Sequence, residues 1–440
     1  MAPTKILFVA PSAYTLGGVQ SWLAQLVGHL DQQEWQTKVA VPDGIHHNSA
    51  RYGAAYPELP LEHFSNYTGS QEGRVRSLQQ CISRLQPDLV VGVNIADLYP
   101  AALRLRHSDC WHGRVVMTLH GIAADLLADL NARRDVIDAV IATNRLSCAL
   151  CDGVAGMAKE RVFYAPYGVP VRTEHSCQSS AEATSLLRIA WVGRLDQAQK
   201  RVHDLPNILA RLDTLNVAYR LSIAGEGRER SALEQQLSTW INRGQVKLLG
   251  QCQGPELTRR VYECHDVLLI TSSWETGPIV AWEAMAAGLT VVSSTYVGCQ
   301  LEDALQDGDN SLLFPVADVN QAATCLQRLG SSLELRRHLI KAGQQLVRQR
   351  YSCEISLAAW QQALRQIMTL PRLKAPLSTL IPSSMGRLDR WLGVGQAENL
   401  RRLLKLRFRH PSPGAEWPHS AHFDADNAAL LELAAKLDHR

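Results

Sequence analysis

The chain lacks the features that mark several large protein classes. No apolar run in its 440 residues approaches the ~20 needed to span a bilayer. Net charge is only +3, too small for whole-chain attraction to nucleic acid. The ten cysteines are scattered and form a single Cys-x-x-Cys, Cys148–Cys151, with no second pair at zinc-finger spacing. That pair falls in a predicted helix, Asn144–Cys151, where positions i and i+3 share a face. Reduced, buried thiols are expected rather than a redox or metal centre. The opening MAPTKILFVAPS has too short an apolar run for a signal peptide and reads as a first strand, so a cytoplasmic protein is expected.

What the chain does have is length, 46% hydrophobic residues and a repeating βα pattern. A chain this long exceeds one ordinary core. Strands are expected at Lys5–Pro11, Thr37–Pro42, Leu89–Val93, Val115–His120, Ala139–Thr143 and Val162–Ala165. A second series follows at Arg188–Val192, Tyr219–Ala224, Val246–Leu249, Val267–Thr271, Thr290–Ser293 and Leu312–Phe314. Helical segments intervene, which predicts an α/β protein with parallel sheets covered on both faces. The expected divisions are a Rossmann-like domain over 1–170, a linker over 171–186, a second Rossmann-like domain over 187–350, a closing helix over 351–370 and a basic helical extension over 371–440. Two such domains would face each other across a cleft at the carboxyl ends of their strands, where ligands bind.

Four segments carry chemistry. In Ile270–Gly288, ITSSWETGPIVAWEAMAAG, an apolar strand runs into a Gly277-Pro278 turn that opens an Ala-rich helix. A strand, a glycine loop and a helix N-terminus together form an anion site. Glu275 on the loop and Glu283, about two turns into the helix, are suited to accept paired hydroxyls. An ordinary amphipathic helix with two solvated glutamates is the competing reading. Trp191–Arg201 leaves the first strand of the second series and places Arg194 and Lys200 at its end, where cations would neutralise phosphate. In Ser12–Gln20, Gly17 and Gly18 precede a helix and let backbone amides approach a phosphate, although the loop is neither a Walker A nor a Gly-x-Gly-x-x-Gly motif. His120 ends the strand in Met117–Gly121; an isolated histidine there is more often a structural residue.

The spacing Glu-x7-Glu followed by Ala-Met-Ala-Ala-Gly, with the Gly-Arg-Leu…Lys and Gly-Gly-Val-Gln segments, resembles the GT-B retaining glycosyltransferases of glycosyltransferase family 4. The resemblance covers about residues 5–368 and is strongest between Arg188 and Gly288. It implies transfer of a sugar from a nucleoside-diphosphate sugar, UDP- or GDP-linked, to a glycan, lipid-linked or small-molecule acceptor, with retention of anomeric configuration. The site residues it implies are His120 and Glu275 at the reacting sugar and Glu283 on the ribose. Gly17, Gly18, Arg194, Lys200, Gly277, Pro278 and Ile279 would hold the diphosphate. One departure is Arg201, where many members have glycine after the lysine. No metal and no resident cofactor are expected: the triplets Asp307–Asp309 and Asp424–Asp426 lie in turn-like or tail contexts. A non-catalytic sugar-nucleotide-binding protein on the same fold is the alternative, and an epimerase a further one.

The extension lies outside the resemblance. Between Pro371 and His410 it carries nine Lys/Arg against two acids, Asp389 and Glu398, and includes the apolar-basic stretch Leu400–Phe408. A basic amphipathic helix there would lie on an anionic membrane surface, at the inner face of the membrane; a helix packed on the body with a solvated basic face is the competing expectation.

Overall fold

A computed structural model describes residues 2–11, 18–171, 186–252, 254–373, 386–408, 410, 416–422 and 424–439. The chain forms two compact units. The first comprises Met1–Thr143, Ser147–Ala165 and Ala359–Leu430; the second comprises Asn144–Leu146, Pro166–Ala358 and Leu431–Arg440. The expected linker falls almost wholly outside the described residues.

The first unit is built on strands β1 (Thr4–Val9), β2 (Trp35–Asp43), β3 (Leu61–Ser65), β4 (Leu89–Gly92), β5 (Arg114–Leu119), β6 (Ala139–Ala142) and β7 (Val162–Tyr164). Their order is β3-β2-β1-β4-β5-β6-β7, and every pairing is parallel. Helices cover both faces of such a sheet, so its central strands are largely apolar. In β5 all six residues are buried. β3 is the one strand not expected from the sequence. It is an edge strand, Leu-Glu-His-Phe-Ser, with a single fully buried residue, Phe64, so it lacks the apolar run that marks the others.

The second unit repeats the plan with β8 (Leu187–Val192), β9 (Tyr219–Ala224), β10 (Val246–Gly250), β11 (Val267–Ile270), β12 (Thr290–Ser294) and β13 (Leu312–Phe314). Their order, β10-β9-β8-β11-β12-β13, is again all parallel. In each sheet the order reverses beside the first strand, between β1 and β4 and between β8 and β11. Loops leaving those strand ends diverge and open a crevice, the place where such sheets bind ligands. Two apolar layers flank the second sheet, one around Trp191, Leu209 and Leu326, the other around Trp282, Met285 and Tyr351. Trp282 and Tyr351 stack in the latter at 4.0 Å between ring centroids.

The extension folds as helices Arg387–Leu392 and Val394–Leu404, and a last helix spans Asn427–Asp438. The stretch expected to be helical through Phe408 stops at Leu404. Lys405 takes the left-handed conformation, φ +52°, which ends the helix and turns the chain away. Asp389 and Arg401, both buried, form a two-bond ion pair at 2.6 and 2.7 Å that joins the two helices. Glu398, fully buried, docks them on the body. Its carboxylate accepts from Thr68 Oγ1 and from Ser70 Oγ at 2.6 Å, and Ser70 in turn caps the helix Gln71–Leu85. A carboxylate beside a helix N-terminus is favoured by the helix dipole. Arg402 adds a bond at 2.9 Å. No helix among the described residues is long and apolar enough to cross a membrane.

Candidate functional site at the β8–β11 crevice

Two loops of the second unit meet at the reversal point. One leaves β8 through Gly193–Arg201; the other leaves β11 through Thr271–Pro278. They are tied by Ser273 N–H donating to Gln199 O at 2.7 Å, by Gln199 Nε2 donating to Trp274 O and by Thr271 Oγ1 donating to Lys200 O at 2.6 Å. Asp196 organises the first loop from within, accepting from the backbone amides of Gln199 and Lys200. A third turn, Ala224-Gly-Glu-Gly227 after β9, closes against the same loop. A Cβ at Gly225, φ +152°, would stand 1.8 Å from Gly193 O, so only glycine fits.

Lys200 and Glu275 form the centre. Lys200 Nζ donates to Glu275 Oε1 at 2.5 Å, and their side chains are only 18% and 7% exposed. Ser272 Oγ donates to the same oxygen at 2.6 Å. The expected division, lysine on phosphate and glutamate on hydroxyls, therefore becomes a joined pair. The ammonium keeps further N–H donors beyond the one spent on Glu275, and both recorded bonds fall on Oε1 rather than Oε2. Arg194 is more open, with 65% of its side chain exposed, and is steadied by Asp196 at 2.8 Å and Gln199 at 3.0 Å.

Beyond Glu275 the backbone turns through Gly277, φ +82°. Pro278 stands as the cap of the helix Ile279–Ala287 rather than inside its first turn. The helix has no acid in its first turn and no side-chain cap, so its leading amides remain an anion-favouring end. Ile279 packs on the apolar layer below. Glu283 comes one turn into this helix, not two. It is half-buried and accepts a hydrogen bond from Tyr262 Oη at 2.7 Å. Burial raises its carboxyl above the ordinary carboxylate range, and the Tyr262 bond offsets this in part. Tyr262 was not singled out by the sequence; its place 21 positions from Glu283 gives no local signal.

The remaining candidates belong to the first unit. Gly17 lies outside the described residues, while Gly18 is exposed and opens the helix Gly18–His29. His120 follows β5. Its Nε2 lies 2.9 Å from Thr118 Oγ1, and its ring packs on Trp22 at 4.5 Å between centroids. Burial lowers its pKa to about 3, so the imidazole is neutral at physiological pH. The triplet at Asp307 is a turn in which Asp307 accepts from Leu313 N–H, and Asp426 accepts from Ala428 and Ala429 at a helix start. Among the described residues no cluster of three His, Cys, Asp or Glu side chains suits a metal ion. Cys148 Sγ donates to Phe163 O, and burial raises the Cys151 thiol.

Residues 187–332 match the family described as Glycosyl transferases group 1. An uncharacterized glycosyltransferase of Methanocaldococcus jannaschii is 31% identical over 167 residues, 37% of this chain and 41% of that protein. A Campylobacter jejuni α-1,4-N-acetyl-D-galactosaminyltransferase is 27% identical over 46% of this chain and 56% of its own. The chain thus spans about half the length of these curated relatives. Among solved structures, Anabaena HepE in complex with UDP-glucose superposes with a TM-score of 0.66 at 19% identity, over 83% of this chain and all of that one. The lipopolysaccharide outer core galactosyltransferase WaaB superposes with a TM-score of 0.64 at 16% identity, over 82% and 99%. The fold is accordingly that of the GT-B proteins, two Rossmann-like parallel-sheet domains.

Proposed function

We propose that the protein is a glycosyltransferase that moves a sugar from a nucleoside-diphosphate sugar to an acceptor, with retention of anomeric configuration. The observation that carries this reading is the Lys200–Glu275 pair at the β8–β11 crevice, within a segment that matches the Glycosyl transferases group 1 family. Breaking the anomeric C–O bond leaves negative charge on a departing diphosphate, and fixed cations and amides aimed at that charge lower the barrier. Arg194, Lys200 and the amides that open Ile279–Ala287 are such groups. Lys200 bridges: one N–H stays on Glu275 while others turn to phosphate oxygen.

Glu275 then has two duties. It fixes the lysine, and it offers acceptor oxygen to donor-sugar hydroxyls. Glu283 takes the ribose hydroxyls, with Tyr262 orienting its carboxylate. His120, held neutral, serves as a hydrogen-bonding group rather than a cation. Nothing in this chemistry calls for a metal, since cations of the chain meet the leaving charge. A UDP- or GDP-sugar is the donor in this reading; HepE, a structural relative, binds UDP-glucose. The acceptor is a glycan or a lipid-linked sugar, the latter in keeping with the undecaprenol-linked substrate named for the Campylobacter relative.

The test is turnover of UDP-, GDP- and ADP-sugars. Release of nucleoside diphosphate that rises with an oligosaccharide or polyprenyl-diphosphate sugar acceptor is expected, with an axial or equatorial anomeric bond matching that of the donor by NMR. Binding without release under all acceptors would sink the transferase reading, and an inverted product would sink retention alone.

A further inference from the structure

Large apolar side chains left in water gather in one part of the first unit. Eight are strongly exposed among the described residues, and six of them belong to the extension or to the loops it packs on: Ile45 at 64%, Tyr67 at 74%, Trp391 at 84%, Leu403 at 77%, Leu404 at 56% and Leu406 at 47%. The other two, Ile355 and Leu433, lie in the second unit. Bonding places the segments that bear the six side by side. Phe408 N–H donates to Thr68 O at 2.7 Å, which sets Leu406 near the loop that bears Tyr67. Ile45 and Arg407 line one pocket of ≈ 230 Å³. The Asp389–Arg401 pair sets the helix of Trp391 beside that of Leu403.

Exposed charge on the extension has one sign; Glu416, which lines the same pocket, is buried and accepts from the amides of Ile45 and His46. The two carboxylates of residues 386–408 are both buried and occupied: Asp389 with Arg401, and Glu398 with Thr68, Ser70 and Arg402. Arg387, Arg390, Lys405 and Arg407 are exposed. Exposed leucines and a tryptophan interleaved with cations fit neither a solvated helix face nor a protein core. Apolar side chains of this kind enter the acyl boundary of a bilayer, and cations beside them meet anionic headgroups.

We propose that this patch, centred on Trp391 and the run Leu403-Leu404-Lys405-Leu406-Arg407, docks the protein on an anionic phospholipid surface. The proposal stands on the extension alone and does not rest on the transferase reading. It replaces the expected continuous amphipathic helix with a helix end and the turn that follows it.

The experiment is co-sedimentation of the full chain with vesicles of phosphatidylcholine alone or mixed with phosphatidylglycerol. Wild-type protein is expected to pellet with the mixed vesicles, to be released as salt rises, and to stay in solution with phosphatidylcholine. Arg390→Gln with Arg407→Gln should weaken binding by about tenfold or more. Trp391→Asp and Leu403→Asp should each abolish it, with unchanged circular dichroism because both side chains project into water. Ile355→Asp, an exposed apolar site in the second unit, should bind as wild type. Failure of the wild type to bind mixed vesicles, or wild-type binding by both aspartate variants, overturns the proposal. So does a lipid-free dimer that Leu403→Asp converts to monomer, since a second copy would then be the occupant.

Discussion

The crevice of the second unit and the extension of the first both bury a carboxylate, yet they use it in opposite ways. Glu275 is compensated by Lys200 and Ser272, groups of its own site, and the surrounding polar atoms remain available at a strand end. Glu398 is compensated by Arg402 of its own helix and by Thr68 and Ser70, which belong to the body on which that helix docks. Polar groups are spent inward there, and apolar side chains are left outside. A carboxylate that keeps its cation poised suits chemistry, whereas one spent on docking suits attachment. The comparison can be broken by removing one partner at a time.

The largest effect is expected at Lys200. Lys200→Ala should lower transfer by about 10²–10³-fold, the scale for losing one group that meets transition-state charge. It should also cost roughly 3 kcal/mol of stability, because Glu275 is left buried without its cation. Steady-state rates with denaturant unfolding read both, and a drop in rate with unaltered stability would deny that the pair is compensated as described. Glu398→Ala should cost about 3 kcal/mol as well, through loss of hydrogen bonds to a buried charge. Turnover of a soluble acceptor should be unchanged at temperatures where the variant is folded. A fall in turnover equal to that of Lys200→Ala would erase the contrast between the two regions.

The sequence made the contrast legible only in part. Strands with continuous apolar runs, such as β4 and β11, were readable because burial on both sheet faces favours apolar residues. β3 was not, since an edge strand needs no such run. The loop residues Arg194, Lys200 and Glu275 stood out by type and by place after a strand. Their pairing did not, because Lys200 and Glu275 are 75 positions apart and meet only through the order β8-β11. Tyr262 was invisible for the same reason. In the extension the basic composition was plain, but nothing local marked Asp389 and Glu398 for burial. Glu398 acts as a docking group through Ser70, 328 positions away, and Asp389 pairs with Arg401 inside the extension.

A smaller effect sharpens the difference between the two glutamates of the crevice. Glu283 has a single hydroxyl donor among its recorded bonds, and burial raises its pKa. Its charged form is thus a cost to the folded state, and that cost appears as pH rises through the raised folded value. Glu283→Gln should therefore leave the melting temperature at pH 8 unchanged or higher than wild type. Donor affinity should fall about tenfold or more as hydroxyl bonds to a charged acceptor are lost. Calorimetric titration with the preferred nucleotide measures this. Loss of stability at pH 8 with unaltered affinity would make Glu283 a structural residue.

The last effect concerns His120 and is confined to low pH. Its folded pKa, about 3, lies below the ordinary histidine value, so between about 3 and 6.5 the unfolded chain binds more protons. Stability must then rise with pH across that window and be fully present above it. At pH 5 the contribution lost is about 2 kcal/mol. His265, His410 and His419 are lowered by burial as well and add to the same slope, so the total is not the diagnostic quantity. The difference between wild type and His120→Asn is. The melting temperature of wild type relative to that variant should fall as pH drops from 7 to 5, whatever offset the lost packing on Trp22 sets at pH 7. Parallel curves would mean that His120 is accessible to protons in the folded chain. In that case it would carry charge at mildly acid pH, and an inflection near pH 6 should appear in the rate profile. A neutral His120 gives no such inflection, and its contribution to the rate is then that of a positioned hydrogen-bonding group.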